Sequence, residues 1–201
     1  MAGGIHNSSE VKFETRRRMV AAMGRELRVV ETHSGKLKMR EKCYASAADW
    51  VGFDIDKSSK EAVHLDSLIA LRSFDLGPFN VFDIDPFGAP WHHMWIVAQR
   101  RKLTQGERIG LALTNGAASG PARMHRTVVR AGWSKQMLDT LKLDPETPYR
   151  LFCDNNFDAV AQDLARAWFG AEIDGYWSGH QTQSAGGQCT RYCAIILVGL
   201  T

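Results

Sequence analysis

The sequence has few cysteines, no long hydrophobic run and only a small excess of positive charge. Its 201 residues include four cysteines, too few and too scattered for a disulfide framework, so we expect reduced thiols. No apolar run approaches the length of a membrane span, so we expect no transmembrane segment. Residues 1–10 are small and polar and lack the hydrophobic core of a signal peptide, so the expected location is the cytoplasm.

The histidines and cysteines of the sequence also lack the spacing that is typical of metal ligands. His92 and His93 are adjacent, and adjacent side chains on a helix point about 100° apart, so they rarely share an ion. Cys189 and Cys193 could lie on one face of a strand, with His180 in the preceding loop, but four converging ligands cannot be named. The sequence therefore predicts no metal site.

Positive charge is concentrated near the N-terminus. The net charge of +3 permits nucleic-acid binding without arguing for it, but residues 11–28 carry six basic side chains against two acidic ones. A solvated helix face is the usual explanation of such a run, and a phosphate-binding surface is the alternative. We expect a basic N-terminal helical segment over residues 1–28, followed by one domain over residues 29–201.

Short apolar runs alternate with helical patterns along the rest of the chain. The runs predict strands at residues 29–30, 50–56, 64–66, 80–84, 108–114, 172–177 and 191–199. Helical spacing predicts helices at residues 11–27, 36–48, 91–102, 123–131 and 156–169. This alternation predicts an α/β fold with a mostly parallel sheet and helices on both faces. The last two strands have no helix between them, which indicates an antiparallel partner at the end.

Acidic side chains follow the predicted strands. Glu31 follows the first strand, Asp54 or Asp56 ends the second, Asp66 ends the third and Asp85 ends the fourth. In an open parallel sheet, ligands bind outside the carboxyl ends of the strands. Any one such acid is more often a helix cap or turn residue, but acids at four successive corners favour a ligand site.

The most informative motif runs from Val81 to Pro90, where a short strand ends in Asp85-Pro86-Phe87-Gly88. Proline cannot continue a strand, so Asp85 is fixed at the edge of the sheet with an aromatic ring two residues on. A flat amine-bearing group could stack on Phe87 while Asp85 and a backbone carbonyl accept its hydrogens. The structural alternative is a buried strand that leaves through a proline–glycine turn.

This motif resembles motif IV of S-adenosylmethionine-dependent amino-methyltransferases, and its Asp-Pro-Phe-Gly variant is similar to that of the tRNA dimethylguanosine methyltransferases. The strand order resembles the class I methyltransferase fold. The resemblance implies a single-domain sheet of seven strands, mostly parallel, whose last strand is antiparallel. It also implies S-adenosylmethionine as the cofactor and an N-methyltransferase activity.

The resemblance also implies roles for individual residues. The turn after the first strand would face the methionine part of the cofactor, Asp54 would hold the ribose hydroxyls, and Asp66 would accept from the adenine amine. The implied cofactor-binding residues are Glu31, His33, Gly35, Asp54, Ile55, Asp66, Ser67 and Asp85. One departure is that the turn has a single glycine, Gly35, which keeps a non-catalytic descendant of the fold as an alternative.

For the substrate, the resemblance favours the exocyclic amine of a nucleobase in RNA. The implied catalytic residues are Asp85, Pro86, Phe87 and Gly88. The implied substrate-binding residues are Phe87 and Asn115, with Arg16, Arg17 and Arg18 as contacts to phosphate. The chain has no room for the additional RNA-binding domain of the relatives, so a partner protein could supply recognition. DNA, protein and small-molecule amines remain alternative substrates.

Overall fold

A computed structural model of the protein describes residues 10–24, 26–57, 59, 61–86, 88–116, 134–147, 149–182 and 189–200. Helices and strands alternate through this part of the chain before a final pair of strands. In chain order they are α1 (Glu10–Met23), β1 (Arg28–Glu31), α2 (Lys38–Cys43), β2 (Asp49–Gly52), α3 (Ser67–Ser73), β3 (Val81–Ile84), α4 (Trp91–Arg100), β4 (Arg108–Asn115), α5 (Lys135–Leu141), α6 (Tyr149–Phe169), β5 (Ala171–Thr182) and β6 (Cys189–Gly199).

One mixed sheet organises these elements, with the strand order β2–β1–β3–β4–β6–β5. Strand β1 pairs in parallel with β2 and β3, and β3 pairs in parallel with β4. Strand β6 is antiparallel to both of its neighbours, β4 and β5. The α/β class, the mostly parallel sheet and the antiparallel last strand are thus confirmed. Every residue of β3 is buried, as expected for a central strand covered on both faces.

The predicted count of seven strands is wrong, because the described part of the chain forms six. Residues 64–66 do not pair as a strand, and this region contributes only a bridge between Val63 and Phe53. The chain turns away at once, since Leu65 N donates to Val63 O at 2.9 Å. Asp66 then caps α3 by accepting hydrogen bonds from Leu68 N and Ile69 N. A carboxylate in that position stabilises a helix start and cannot prolong a strand.

Several helices differ in extent from the prediction. Helix α1 stops at Met23 because Gly24 follows with φ +60°, a conformation that ends helices. Helix α2 is shorter than residues 36–48, since its N-cap Leu37 is itself left-handed, with φ 60°. Helix α6 begins before residue 156, and the predicted start coincides with a kink at Asn156. Helices α3 and α5 were not predicted, and the predicted helix at 123–131 lies outside the described residues.

The helices cover both faces of the sheet with separate apolar cores. Helices α3 to α6 enclose the larger core, which includes Leu71, Met94, Phe157 and Leu164. Helices α1 and α2 enclose a smaller core on the other face, which includes Met19, Met23, Met39 and Tyr44 together with Val29, Val81, Ala112 and Ile196 of the sheet. Within the described residues, no helix is both long enough and apolar enough to span a membrane.

Helix α1 packs very closely on the sheet. A Cβ atom added to Gly110 of β4 would lie 2.8 Å from Met19 Sδ. A Cβ added to Gly179 of β5 would lie 2.4 Å from Val11 Cγ1. Both glycines therefore allow a close approach that larger residues would prevent. The N-terminal helix consequently shares a core with the rest of the protein.

Candidate functional site

The carboxyl ends of β1, β2 and β3 bring together most of the residues that the sequence singled out. Thr32, directly after β1, connects two of these ends. Its backbone N donates to Asp83 O at 2.9 Å, and its Oγ1 accepts from Asp85 N at 3.3 Å. The loop after β1 and the motif after β3 are therefore hydrogen-bonded to each other.

The loop after β1 is also tied to the end of β2 by Asp54. Gly35 N donates to Asp54 Oδ2 at 2.7 Å, and Asp56 N donates to Asp54 Oδ1 at 2.8 Å. Each carboxylate oxygen can accept more than one hydrogen bond, so Asp54 retains acceptor capacity. A Cβ on Gly35 would meet nothing within 4 Å, and the buried Ser34 Oγ has no hydrogen-bond partner among the described residues. The loop backbone thus borders open space, as a ligand-binding turn requires.

A chain of polar side chains runs from this loop to α4. Thr32 Oγ1 and His33 Nδ1 are 2.9 Å apart, and Ser67 Oγ lies 3.3 Å from His33 Nε2 and 2.9 Å from His93 Nε2. The two imidazole rings also meet edge to face, with centroids 5.3 Å apart. His33 and Ser67, both predicted cofactor residues, are therefore in direct contact.

Burial keeps His33 and His93, the two histidines of this polar cluster, uncharged near neutral pH. Desolvation lowers the pKa of His33, although the nearby Asp85 carboxylate opposes the shift. Desolvation and the neighbouring His33 lower the pKa of His93 to about 3. His93 Nδ1 is buried without a hydrogen-bond partner in the described structure.

Two predicted cofactor residues lie at the outer rim. Asp66 is exposed, and its Oδ1 accepts from Leu68 N at 2.9 Å and from Ile69 N at 3.1 Å, so this carboxylate acts first as a helix cap. Ile55, next to Asp54, is 75% exposed. This side chain leaves an apolar surface beside Asp54 that a flat ligand could cover.

Asp85 is the central residue of the motif after β3. Lys12 of α1 donates to Asp85 Oδ2 and forms an ion pair with it. Burial alone would raise the pKa of Asp85, but Lys12 and then Arg16 outweigh it and hold that pKa below its usual value. Gly88 has φ 141° and its N donates to Pro86 O at 2.9 Å, which closes the turn. Phe87, the predicted stacking residue, lies outside the described residues.

Arg16 does not lie on the surface, which corrects its assignment as a phosphate contact. It is 0% exposed, and its Nε and Nη2 each donate to a carboxylate oxygen of Asp83 at 2.9 Å. Arg16 Nη2 also reaches Thr114 Oγ1 at 3.0 Å, and Tyr44 OH donates to Asp83 Oδ2 at 2.7 Å. A guanidinium with these partners cannot reach a nucleic-acid phosphate while α1 stays folded on the sheet.

The other predicted substrate residues are placed differently. Arg17 and Arg18 are on the outer face of α1, where Arg17 pairs with Glu10 and Glu14, and Arg18 pairs with Glu14. Asn115, the last residue of β4, is 2% exposed. The structure therefore separates two exposed arginines from the strand-end cluster.

Glu31 is at the predicted position but faces inward. It is 1% exposed, and its Oε2 accepts from Trp50 Nε1 at 3.1 Å. Burial, followed by the charge of Asp83, raises the pKa of Glu31 well above its usual value. The carboxyl group of Glu31 therefore faces the protein interior. A ligand bound at the loop that follows β1 would contact the loop backbone rather than this side chain.

No family model matches the sequence, and no curated protein matches it either. Solved structures do match over almost the whole chain. N-methyltransferase NodS from Bradyrhizobium japonicum WM9 has a TM-score of 0.51 at 10% identity, over 94% of this chain and 95% of that one. The 1,6-didemethyltoxoflavin-N1-methyltransferase of Burkholderia thailandensis, solved with 1,6-didemethyltoxoflavin and S-adenosylhomocysteine, has a TM-score of 0.52 at 9% identity, over 96% and 80%. The chain therefore shares the overall fold of these two methyltransferases.

A third similar structure is Trm1 from Pyrococcus horikoshii, solved with S-adenosyl-L-methionine. Its TM-score is 0.48 at 14% identity, over 94% of this chain and 56% of that chain. That score is too low to support an inference about substrate. The resemblance to tRNA dimethylguanosine methyltransferases therefore stays a prediction.

Sequence reasoning missed the buried polar cluster beneath Asp85, although a signal for it was present. Asp83 stands between Phe82 and Ile84 in an otherwise apolar strand, and a buried carboxylate requires a partner. Lys12 and Arg16 are one helical turn apart and so share a face of α1. No pattern in the sequence, however, reveals which acids that face meets. Among the described residues, no group of three or more His, Cys, Asp or Glu side chains is placed to hold a metal ion.

Proposed function

We propose that the protein is an S-adenosylmethionine-dependent N-methyltransferase that acts on an exocyclic amine. One observation carries the proposal, namely the ionised Asp85 carboxylate at the end of β3, hydrogen-bonded through its backbone to the loop after β1. A carboxylate there can accept the hydrogens of an amine beside a ligand bound at that loop. Two structures that share the fold, with TM-scores of 0.51 and 0.52, are N-methyltransferases, which supports the same class of reaction.

The loop residues fit the cofactor. Gly35 leaves open space above the backbone, Asp54 has acceptor capacity for two ribose hydroxyls, and Ser34 offers an unpartnered hydroxyl among the described residues. His33, Ile55, Asp66 and Ser67 complete the proposed binding surface, and Glu31 supports the loop from below. When bound, S-adenosylmethionine supplies a methyl group on a sulfonium, which is already an activated leaving group.

The chain's own residues would then contribute mainly by positioning. Asp85, together with the carbonyl of Pro86, would accept the two hydrogens of the substrate amine and so orient the nitrogen lone pair. The Pro86 carbonyl already accepts from Gly88 N at 2.9 Å and has a second lone pair to offer. Phe87 would hold a flat substrate by stacking.

For the substrate, we propose a nucleobase in RNA, in the cytoplasm. The Asp-Pro-Phe-Gly motif and the outward-facing Arg17 and Arg18 support this choice, and a partner protein would add to the recognition surface. An amine of DNA, protein or a small molecule is the alternative substrate. A non-catalytic S-adenosylmethionine-binding module is a second candidate function, and the ion pair that already occupies Asp85 favours it.

Calorimetry with S-adenosylmethionine and S-adenosylhomocysteine tests the cofactor before any substrate is known. The wild type should bind both, and Asp54→Ala should weaken binding by about 2–3 kcal/mol, or roughly 30- to 150-fold, because it removes the ribose acceptors and the tie to Gly35. Asp49→Ala is the matched control, since Asp49 is exposed at the opposite end of the same strand. Its affinity should equal that of the wild type.

Absence of binding by the folded wild type at millimolar cofactor would refute the proposed function. Equal affinities of the Asp54→Ala variant and the wild type would instead refute only the assignment of Asp54. Circular dichroism of each variant confirms that a loss of binding is not a loss of fold.

A further inference from the structure

The side-chain amine of Lys12 already contacts Asp85, the carboxylate that the proposed function assigns to the substrate amine. Lys12 is in the first turn of α1 and is 7% exposed. Its Nζ pairs with Asp85 Oδ2. The acceptor at the end of β3 is therefore already in contact with a primary amine.

The backbone of Lys12 is held in this place. Thr15 Oγ1 donates to Lys12 O at 3.0 Å, and Arg16 Nη1 donates to the same oxygen at 3.4 Å. Arg16 in turn is anchored to Asp83 by two hydrogen bonds of 2.9 Å. Helix α1 cannot move away without breaking this buried ion pair, and removing one partner from a buried pair is strongly unfavourable.

The Lys12 side chain is similarly confined. If it left Asp85 without a new partner, a nearly buried ammonium and a carboxylate would both lose their counter-charge. Lys12 Nζ should therefore remain beside Asp85 when a cofactor binds to the adjacent loop. Proximity of this kind favours reaction within the chain over reaction with a molecule from solution.

We infer that Lys12 Nζ is itself a methyl acceptor of this site, so that the protein methylates its own helix α1. The inference rests on the proposed function, because it uses the same cofactor and the same carboxylate. The Lys12 ammonium first loses one proton to solvent. Its lone pair then forms a bond to the methyl carbon while the carbon–sulfur bond breaks, and that bond's electron pair stays on sulfur as the thioether of S-adenosylhomocysteine. The product is already a methylammonium cation, so it can pair with Asp85 again without taking up a proton.

The test is incubation of the full-length protein with S-adenosylmethionine that carries an isotopically labelled methyl group, followed by peptide mass spectrometry. The expected result is a mass increase of one or more methyl groups on Lys12. Lys135 is a matched internal control, because it also pairs with an aspartate, Asp139, but is exposed on α5. It should stay unmodified. Lys12→Arg, which keeps the charge next to Asp85, should remove the label.

Two further measurements keep the inference open to refutation. The labelled fraction should rise at the same rate in dilute and concentrated protein, because the acceptor belongs to the same chain. Asp85→Asn, which keeps Lys12 but removes the charged acceptor, should slow labelling. Label on Lys135, a rate that increases with protein concentration, or unlabelled Lys12 in protein that binds the cofactor by calorimetry would each overturn the inference. The last outcome leaves the proposed function standing, whereas absence of cofactor binding refutes both.

Discussion

Arg16 and Asp83 form an ion pair from which water is excluded. Arg16 therefore holds α1 on the sheet instead of contacting a ligand at the surface. Both side chains have 0% exposure, and Thr114 and Tyr44 provide additional hydrogen bonds. Desolvation lowers the pKa of Arg16, but Asp83 outweighs it, so the guanidinium is more firmly protonated than usual. The cluster lies directly beneath Asp85 and fixes the positions of α1 and β3 relative to each other.

We expect Arg16→Met to destabilise the protein by about 3–5 kcal/mol, because it leaves the Asp83 carboxylate buried without a counter-charge. Arg17→Gln is the control one residue along the same helix, and it should leave the unfolding midpoint nearly unchanged because the ion pairs of Arg17 with Glu10 and Glu14 are open to solvent. Urea denaturation measures both. A second replacement, Asp83→Leu in the Arg16→Met background, should restore part of the loss. Similar effects of Arg16→Met and Arg17→Gln would show that the buried pair contributes nothing.

Helix α1 presents two different charged faces. Its inner face carries Lys12 and Arg16 to the acids of β3, whereas its outer face carries Arg17 and Arg18 beside Glu10 and Glu14. Glutamates next to the outer arginines reduce the positive potential there. If this helix binds nucleic acid, as the sequence predicts, only two of the three arginines can contribute, because Arg16 is buried.

If the outer face of α1 contacts RNA, Arg17→Gln combined with Arg18→Gln should weaken binding to single-stranded RNA. The slope of log affinity against log salt should become shallower by up to about two ion-contact units, because each phosphate contact contributes through counterion release. Lys135→Gln is the control, since this exposed lysine is on α5. Equal salt slopes for the double variant and the wild type would indicate that this face of α1 is only solvated.

The sequence predicted a helix or strand correctly where a single pattern, such as an apolar run or a helical stripe, dominates the segment. The apolar run of β3 and the regular stripe of α4 predicted both elements correctly. Asp66 was ambiguous because an acid after an apolar residue suits a strand end and a helix cap equally well, and only the capping bonds to Leu68 N and Ile69 N decide between them. The pairing of Lys12 with Asp85 joins residues 73 positions apart. No local pattern encodes such a contact.

Across the whole molecule, two buried groups, Glu31 at the end of β1 and His93 in α4, respond to pH in opposite directions. Burial raises the pKa of Glu31, so the folded state favours its protonated form, and the resulting stability is lost as pH rises above the ordinary glutamate range. Burial lowers the pKa of His93 to about 3, so the folded state favours its neutral form, and stability is lost as pH falls below the ordinary histidine range. The folded site therefore disfavours both the glutamate anion and the histidine cation.

The Glu31 contribution can be isolated with Glu31→Gln, which keeps an oxygen acceptor for Trp50 Nε1 and removes the ionisable proton. The variant should be more stable than the wild type near neutral pH, where the wild type must bury a charge or take up a proton. This difference should shrink as pH falls toward the ordinary glutamate pKa, because both forms are then uncharged. Chemical denaturation across that pH range measures it. Glu172→Gln, at an exposed position of β5, should show no such trend, and a Glu31→Gln advantage that grows toward acidic pH would contradict the assignment of a raised pKa.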